Sequence, residues 1–279
     1  MSKALLFMGV GFSAGSAMSF GIGALAIHLG NWRISFLVFG CAFLLSTVYM
    51  IYSVKKAEKA NLKPPQETFI ESATTCENIY AQNNGKTARQ LVIMSIIVIF
   101  FASLLYYVYT NWLPSILKAV FLLSDSKSTL ITALFPIAIY AGPVLSVYVS
   151  KKLKSDFTIT FTISLLLMGV SLLLCFIFDI NIVLTVAAVL FAGVLLRLIN
   201  YVLSCLVPVH TQDVYNSGST SAIVNASACI SAAASPFIMG LVLDLSGESW
   251  NIGFAVLFGF SVLTLLFASV FLIINGKKK

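Results

Sequence analysis

The chain has 279 residues, of which 59% are hydrophobic and 13% aromatic, while only 10% are charged. A water-soluble domain carries about a quarter charged side chains, so this composition excludes an ordinary soluble enzyme or binding module. Seventeen basic residues against ten acidic ones give a formal net charge of +7; the basic residues cluster in connecting segments, as membrane topology requires, and imply no nucleic-acid partner.

A helix crossing about 30 Å of hydrocarbon needs about 20 mostly apolar residues. Eight stretches qualify, at approximately 4–27, 34–54, 91–112, 130–150, 157–178, 182–207, 217–242 and 252–274. They are apolar all round rather than alternating in polarity, which predicts helices and not the strands of a barrel. The expected fold class is all-α, a polytopic helical membrane protein with about eight transmembrane helices.

The first stretch carries Gly11, Gly15, Ser19 and Gly23 at four-residue spacing, a face suited to close helix contact in lipid. It runs to residue 27, longer than the apolar part of a secretion signal, and is read as a retained span. After the second stretch comes the longest polar interruption, 55–90, with Pro64 and Pro65. It divides the chain into a two-helix unit (1–54), a linker loop (55–90) and a six-helix bundle (91–279) whose short connections make sequence neighbours antiparallel neighbours.

The third stretch places Ser103, Tyr106, Tyr107 and Thr110 on one helical face. In the fourth, Pro136 and Pro143 each remove a backbone donor, with Gly142 beside the second, which predicts a bend. The sixth contains Arg197, a charge within an otherwise uncharged set of spans, followed by Asn200, Tyr201 and Ser204 at i+3, i+4 and i+7. The seventh adds Ser221 and Asn225 one turn apart, then Ser227, Ser231 and Ser235 at packing spacing before Pro236 and Gly240.

Eight crossings put both termini on one side. Lys3, Lys55, Lys56, Lys59, Lys63, Lys86, Arg89, Lys151, Lys152, Lys154 and Lys277 to Lys279 share that face, against Arg33, Lys118 and Lys127 on the other. The positive-inside bias makes the richer face cytoplasmic, and Trp32, Trp112 and Trp250 all fall at the opposite, outer boundary. The plasma (inner) membrane is the expected location.

A guanidinium at mid-membrane costs at least about 2.5 kcal/mol on insertion scales, so such residues face a bundle interior or a watery cavity. Its planar fork of donors fits carboxylate or phosphate. The expected substrate-binding face is therefore Arg197, Asn200, Tyr201, Tyr106, Tyr107, Thr110 and Asn225, and the expected ligand a small polar, anionic solute. In the alternative use, Arg197 braces carbonyls of a neighbouring helix.

All ten carboxylates lie in loops or at helix ends, and His28 and His210 sit at helix boundaries, without metal-ligand spacing. Phosphate-cradling glycine loops and hydrolase signatures are missing. No catalytic residue, cofactor or metal is expected, and the chain reads as a non-enzyme. Cys41, Cys175, Cys205 and Cys229 fall within helices and read as small apolar filler, with Cys76 in the cytoplasmic loop.

Several segments resemble the major facilitator superfamily of secondary transporters. "GNWRISFLVFG" (30–40) is similar to the turn between that family's fifth and sixth helices, "NWLPSIL" (111–117) to the outer end of its seventh, and 218–247 to its eleventh. Segment 55–90 then corresponds to the central cytoplasmic loop. "YYVYTNWLPSIL" (106–117) most resembles the organophosphate:phosphate antiporters, with Tyr106 where they carry a phosphate-binding arginine. "GPVLSVYVSKKLKS" (142–155) is similar to the basic loop after the eighth helix, with Ser146 where an Asp often stands.

The resemblance implies alternating-access transport with substrate held near the midplane between two six-helix halves. It also implies a partial fold that starts at the fifth helix, with the missing N-terminal helices or a second subunit as a partner alongside the solute and the lipid bilayer. A non-transporting membrane sensor, or an inactive remnant of the fold, is the other reading.

Overall fold

The computed structural model describes residues 3–59, 85–153, 156–212 and 214–276, and all regular structure among them is helical. Seven segments are long and apolar enough to cross a membrane: Arg33–Lys56, Ala88–Phe121, Asp125–Ser150, Thr158–Ile177, Ile182–Val209, Ser217–Leu245 and Trp250–Val270. Each falls on one of the predicted spans. Helix α1 (Lys3–His28) occupies the position of the remaining one.

Helix α2 (Arg33–Lys59) and helix α3 (Gly85–Phe121) both run further into the linker than expected, so the stretch between them is 60–84. That stretch, with Cys76, lies outside the described residues. Helix α3 keeps its course through Pro114 and is the hub of the bundle.

The bend expected in the fourth span takes the form of two breaks, giving α4 (Asp125–Thr132), α5 (Leu134–Ile139) and α6 (Ala141–Leu153). Pro136 and Pro143 supply no N–H to the carbonyls four residues earlier, those of Thr132 and Ile139, and each break falls immediately after that carbonyl. Ser124 caps α4 by accepting from the Lys127 N–H, and Lys118 pairs with Asp125 at 2.7 Å where both are exposed.

Helix α7 (Asp156–Ile177) leads into α8 (Ile182–Tyr201), whose first turn is capped by Asn181. The sixth span is not a uniform helix. A π-turn (Val202–Leu206) and a short α9 (Val207–His210) complete it, followed by α10 (Ser217–Leu245) and α11 (Trp250–Gly276). The cause of the π-turn is Pro208, which has no N–H for the Ser204 carbonyl and whose ring crowds it. The Val207 N–H reaches back five residues to Val202, and the Ser221 hydroxyl donates to the freed Ser204 carbonyl at 3.0 Å.

Helix α3 packs on α10, α11, α8 and α4, while α7 closes the bundle against α11 and α8. Its buried residues, including Leu105, Tyr109, Leu113 and Ile116, form the centre of the core. Helix α10 lies parallel to α3 at a constant offset, with the Ser227 hydroxyl donating to the Ile96 carbonyl at 2.9 Å and Ser231 to Phe100 at 2.8 Å. Small residues in lipid allow this approach, and the hydroxyls add interhelical bonds. Further along, Gly240 faces the Trp112 ring, and buried Ser235 is left without a hydrogen-bond partner. Helix α1 packs on α4 and α5, and α2 on α1, with Phe36, Phe43, Leu45 and Tyr49 among the many exposed apolar residues of α2.

Candidate functional site

Arg197 lies fifteen residues after Ile182 and thirteen before His210, about 20 Å from either end of its span at 1.5 Å per residue. That depth rules out easy snorkelling to either surface. Its guanidinium carbon stands 5.6 Å from the centre of the Tyr106 ring, so α8 and α3 present their polar stripes to each other. A cation over an aromatic face contributes about 0.5–2 kcal/mol, against an insertion cost of about 2.5–3.5 kcal/mol for arginine at the centre of a span.

Tyr106 is itself the centre of an aromatic corner. Tyr107 meets it edge to face at 5.1 Å, and buried Phe135 from α5 lies 6.0 Å away. Thr110 donates to the Tyr106 carbonyl at 2.8 Å. Ser103, expected on the same stripe, is buried in the bundle.

Two glycines bring the broken fourth span against α8. A Cβ at Gly193 would fall 2.6 Å from Phe135 Cε2, so the absence of a side chain there is what lets the Phe135 ring reach Tyr106. A Cβ at Gly142 would fall 2.8 Å from Arg197 Cβ and 2.8 Å from the Val194 carbonyl oxygen. The breaks before Pro136 and Pro143 let α5 and α6 follow α8 closely at both points.

Arg197, Asn200 and Tyr201 are half-buried on one face of α8, as their spacing predicted. Ser204 departs from that pattern: it lies within the π-turn and is 5% exposed. On α10, Asn225 is exposed and donates to Ser221 at 3.4 Å, and Ser221 in turn donates to the Ser204 carbonyl, which ties α10 to the π-turn. Cys229, one turn beyond Asn225, is likewise exposed on α10.

The structure therefore joins Arg197 to Tyr106 and Tyr107 and carries Asn200 and Tyr201 on the same helix face. It links Asn225 to that face through Ser221 and the π-turn. Sequence reasoning missed the bridging role of Ser221, the π-turn, and the exposed Cys205 and Cys229. Pro208, four residues beyond Ser204, was the available signal.

Among the described residues no group of three or more His, Cys, Asp or Glu side chains is placed to hold a metal ion. No curated protein matches the chain. The family pattern of the Major Facilitator Superfamily matches residues 1–210, a region that includes α8, the aromatic corner and most of the described helices. The chain belongs to the Major Facilitator Superfamily, a family of membrane transporters.

Proposed function

We propose that this chain takes part in alternating-access transport of a small polar solute bearing an anionic group, with Arg197 as the residue that holds the anion. The observation that carries this reading is the guanidinium at mid-span, 5.6 Å over the Tyr106 ring, on a face that also bears Asn200 and Tyr201. Its fork offers paired donors to one carboxylate or phosphate. Tyr106, Tyr107, Thr110 and Asn225 complete the binding face. The open side of that face needs a second wall, from further helices of the family's pattern or from a second subunit. The units 1–54 and 91–279, joined by the loop 55–90, form the two sides of a boundary in the plasma membrane with both termini cytoplasmic.

The likeness to organophosphate:phosphate antiporters makes phosphate and phosphate monoesters the first ligands to test, with mono- and dicarboxylates beside them. Thermal unfolding of the purified chain is followed with each anion. At least one anion raises Tm for the natural sequence and not for Arg197→Gln. If no anion shifts Tm, or if Arg197→Gln lowers the starting Tm and keeps the full ligand shift, Arg197 is a structural brace and the anionic reading fails.

A further inference from the structure

The seven-residue spacing from Arg197 to Ser204 would put both on one face of an uninterrupted α-helix. The π-turn at Val202–Leu206 alters that bearing. It takes up one residue more than an α-turn, so positions beyond it are carried back by about 100°, and that change of bearing accrues across the turn holding Ser204 and Cys205. Burial agrees, since Ser204 is buried and Cys205 is exposed.

We propose that the π-turn makes Cys205 the residue that continues the Arg197, Asn200 and Tyr201 face, placing a soft thiol on the same face as the guanidinium as a specificity-determining residue of the transport site. The proposal rests on the transport-site reading above. It reverses the expectation that Cys205 is packing filler, and it narrows the substrate class. A thiol is polarisable but a poor hydrogen-bonding partner. A free inorganic anion, which needs donors on every side to replace its water, gains little from it. An organic anion fits better, with its charged end on Arg197 and its apolar body against Cys205 and the tyrosine rings.

The turn is held by two features outside the face itself. Pro208 withholds the N–H that would restore an α-turn, and Ser221 occupies the Ser204 carbonyl at 3.0 Å. The identity of the residue that continues the Arg197 face therefore depends on a proline in α9 and a serine in α10.

The test uses the full chain in nanodiscs, where reagent reaches both membrane faces, with Cys205 as its one cysteine after replacement of Cys41, Cys76, Cys175 and Cys229 by Ala. Two methanethiosulfonate reagents are compared, one ending in a sulfonate and one in a trimethylammonium, each rate being divided by that reagent's rate with free mercaptoethanol. Only the hydrated thiolate reacts, so the rate reports water access and the ratio of the two reports the local field. Cys205 should label, several-fold faster with the anionic reagent. Arg197→Gln on this background should abolish that preference, and Arg197→Lys, which keeps the charge, should retain it. A Ser204→Cys, Cys205→Ala chain should label far more slowly. Labelling of Ser204→Cys as fast as Cys205, or a preference that survives Arg197→Gln, overturns the proposal. An Asn200→Cys, Cys205→Ala chain separates the two levels: if it labels and Cys205 does not, the proposal falls and the transport site stands. If neither labels, the transport-site reading falls and takes the proposal with it.

Discussion

Gly142 of α6 rests directly on Arg197 of α8: a Cβ at the glycine would lie 2.8 Å from Arg197 Cβ, 2.8 Å from the Val194 carbonyl oxygen and 3.1 Å from the Leu198 nitrogen. Two of the three atoms belong to backbone, which cannot swing aside. Gly142→Ala therefore pushes the helices apart at the point where the arginine side chain begins. Overpacking of this kind costs about 1–3 kcal/mol, and the loss is read as a lower Tm in detergent. Gly169→Ala on α7, where a Cβ meets nothing within 4 Å, is the control and should hold or raise Tm, because alanine favours helix over glycine by about 1 kcal/mol. Equal Tm values for the two variants would contradict the close crossing.

The cation over the Tyr106 ring predicts a graded response. Tyr106→Phe keeps the aromatic face and should leave ligand-free stability nearly unchanged, whereas Tyr106→Leu removes it and should lower stability by about 0.5–2 kcal/mol. Pairing each with Arg197→Gln in a double-mutant cycle isolates the contact. A cycle that shows no coupling between Arg197 and Tyr106→Leu would exclude an energetic role for it.

The serine contacts between α3 and α10 differ in a way that unfolding can read. Ser231 donates to the Phe100 carbonyl at 2.8 Å and Ser227 to Ile96 at 2.9 Å, while the Ser235 hydroxyl is buried and unpartnered. Interhelical bonds in membranes average about 0.6 kcal/mol and reach about 1.7. Ser231→Ala and Ser227→Ala should each destabilise within that range, and Ser235→Ala should be neutral or stabilising, since it removes a buried polar group at no loss of a bond. A larger loss at Ser235 than at Ser231 would refute this ordering.

Orientation is tested at Cys76. With thirteen basic residues against three, the positive-inside bias predicts a cytoplasmic linker. A membrane-impermeant thiol reagent should miss Cys76 in intact cells and label it after permeabilisation, with Cys41, Cys175, Cys205 and Cys229 replaced. Labelling in intact cells would invert the topology.

The membrane class, the positions of the spans and the polar stripes were legible in the amino-acid sequence, because lipid leaves a spanning backbone no partner but itself and so confines it to continuous apolar helices. The two breaks of the fourth span followed from Pro136 and Pro143 for the same local reason: a missing N–H acts on the carbonyl four residues before it, whatever surrounds the helix. Helical periodicity likewise grouped Arg197 with Asn200 and Tyr201. It failed at Ser204, because the choice between a kink and a π-turn at Pro208 depends on what receives the freed carbonyl, and that group is Ser221, from another helix. The approach of Gly142 to Arg197, the pairing of that arginine with Tyr106, and the register that bonds Ser231 and leaves Ser235 alone share this property. Each is a relation between helices whose faces are apolar nearly all round, so that hydrophobic patterning says little about which face meets which neighbour. Those contacts are settled by shape, by where a missing Cβ lets one backbone approach another.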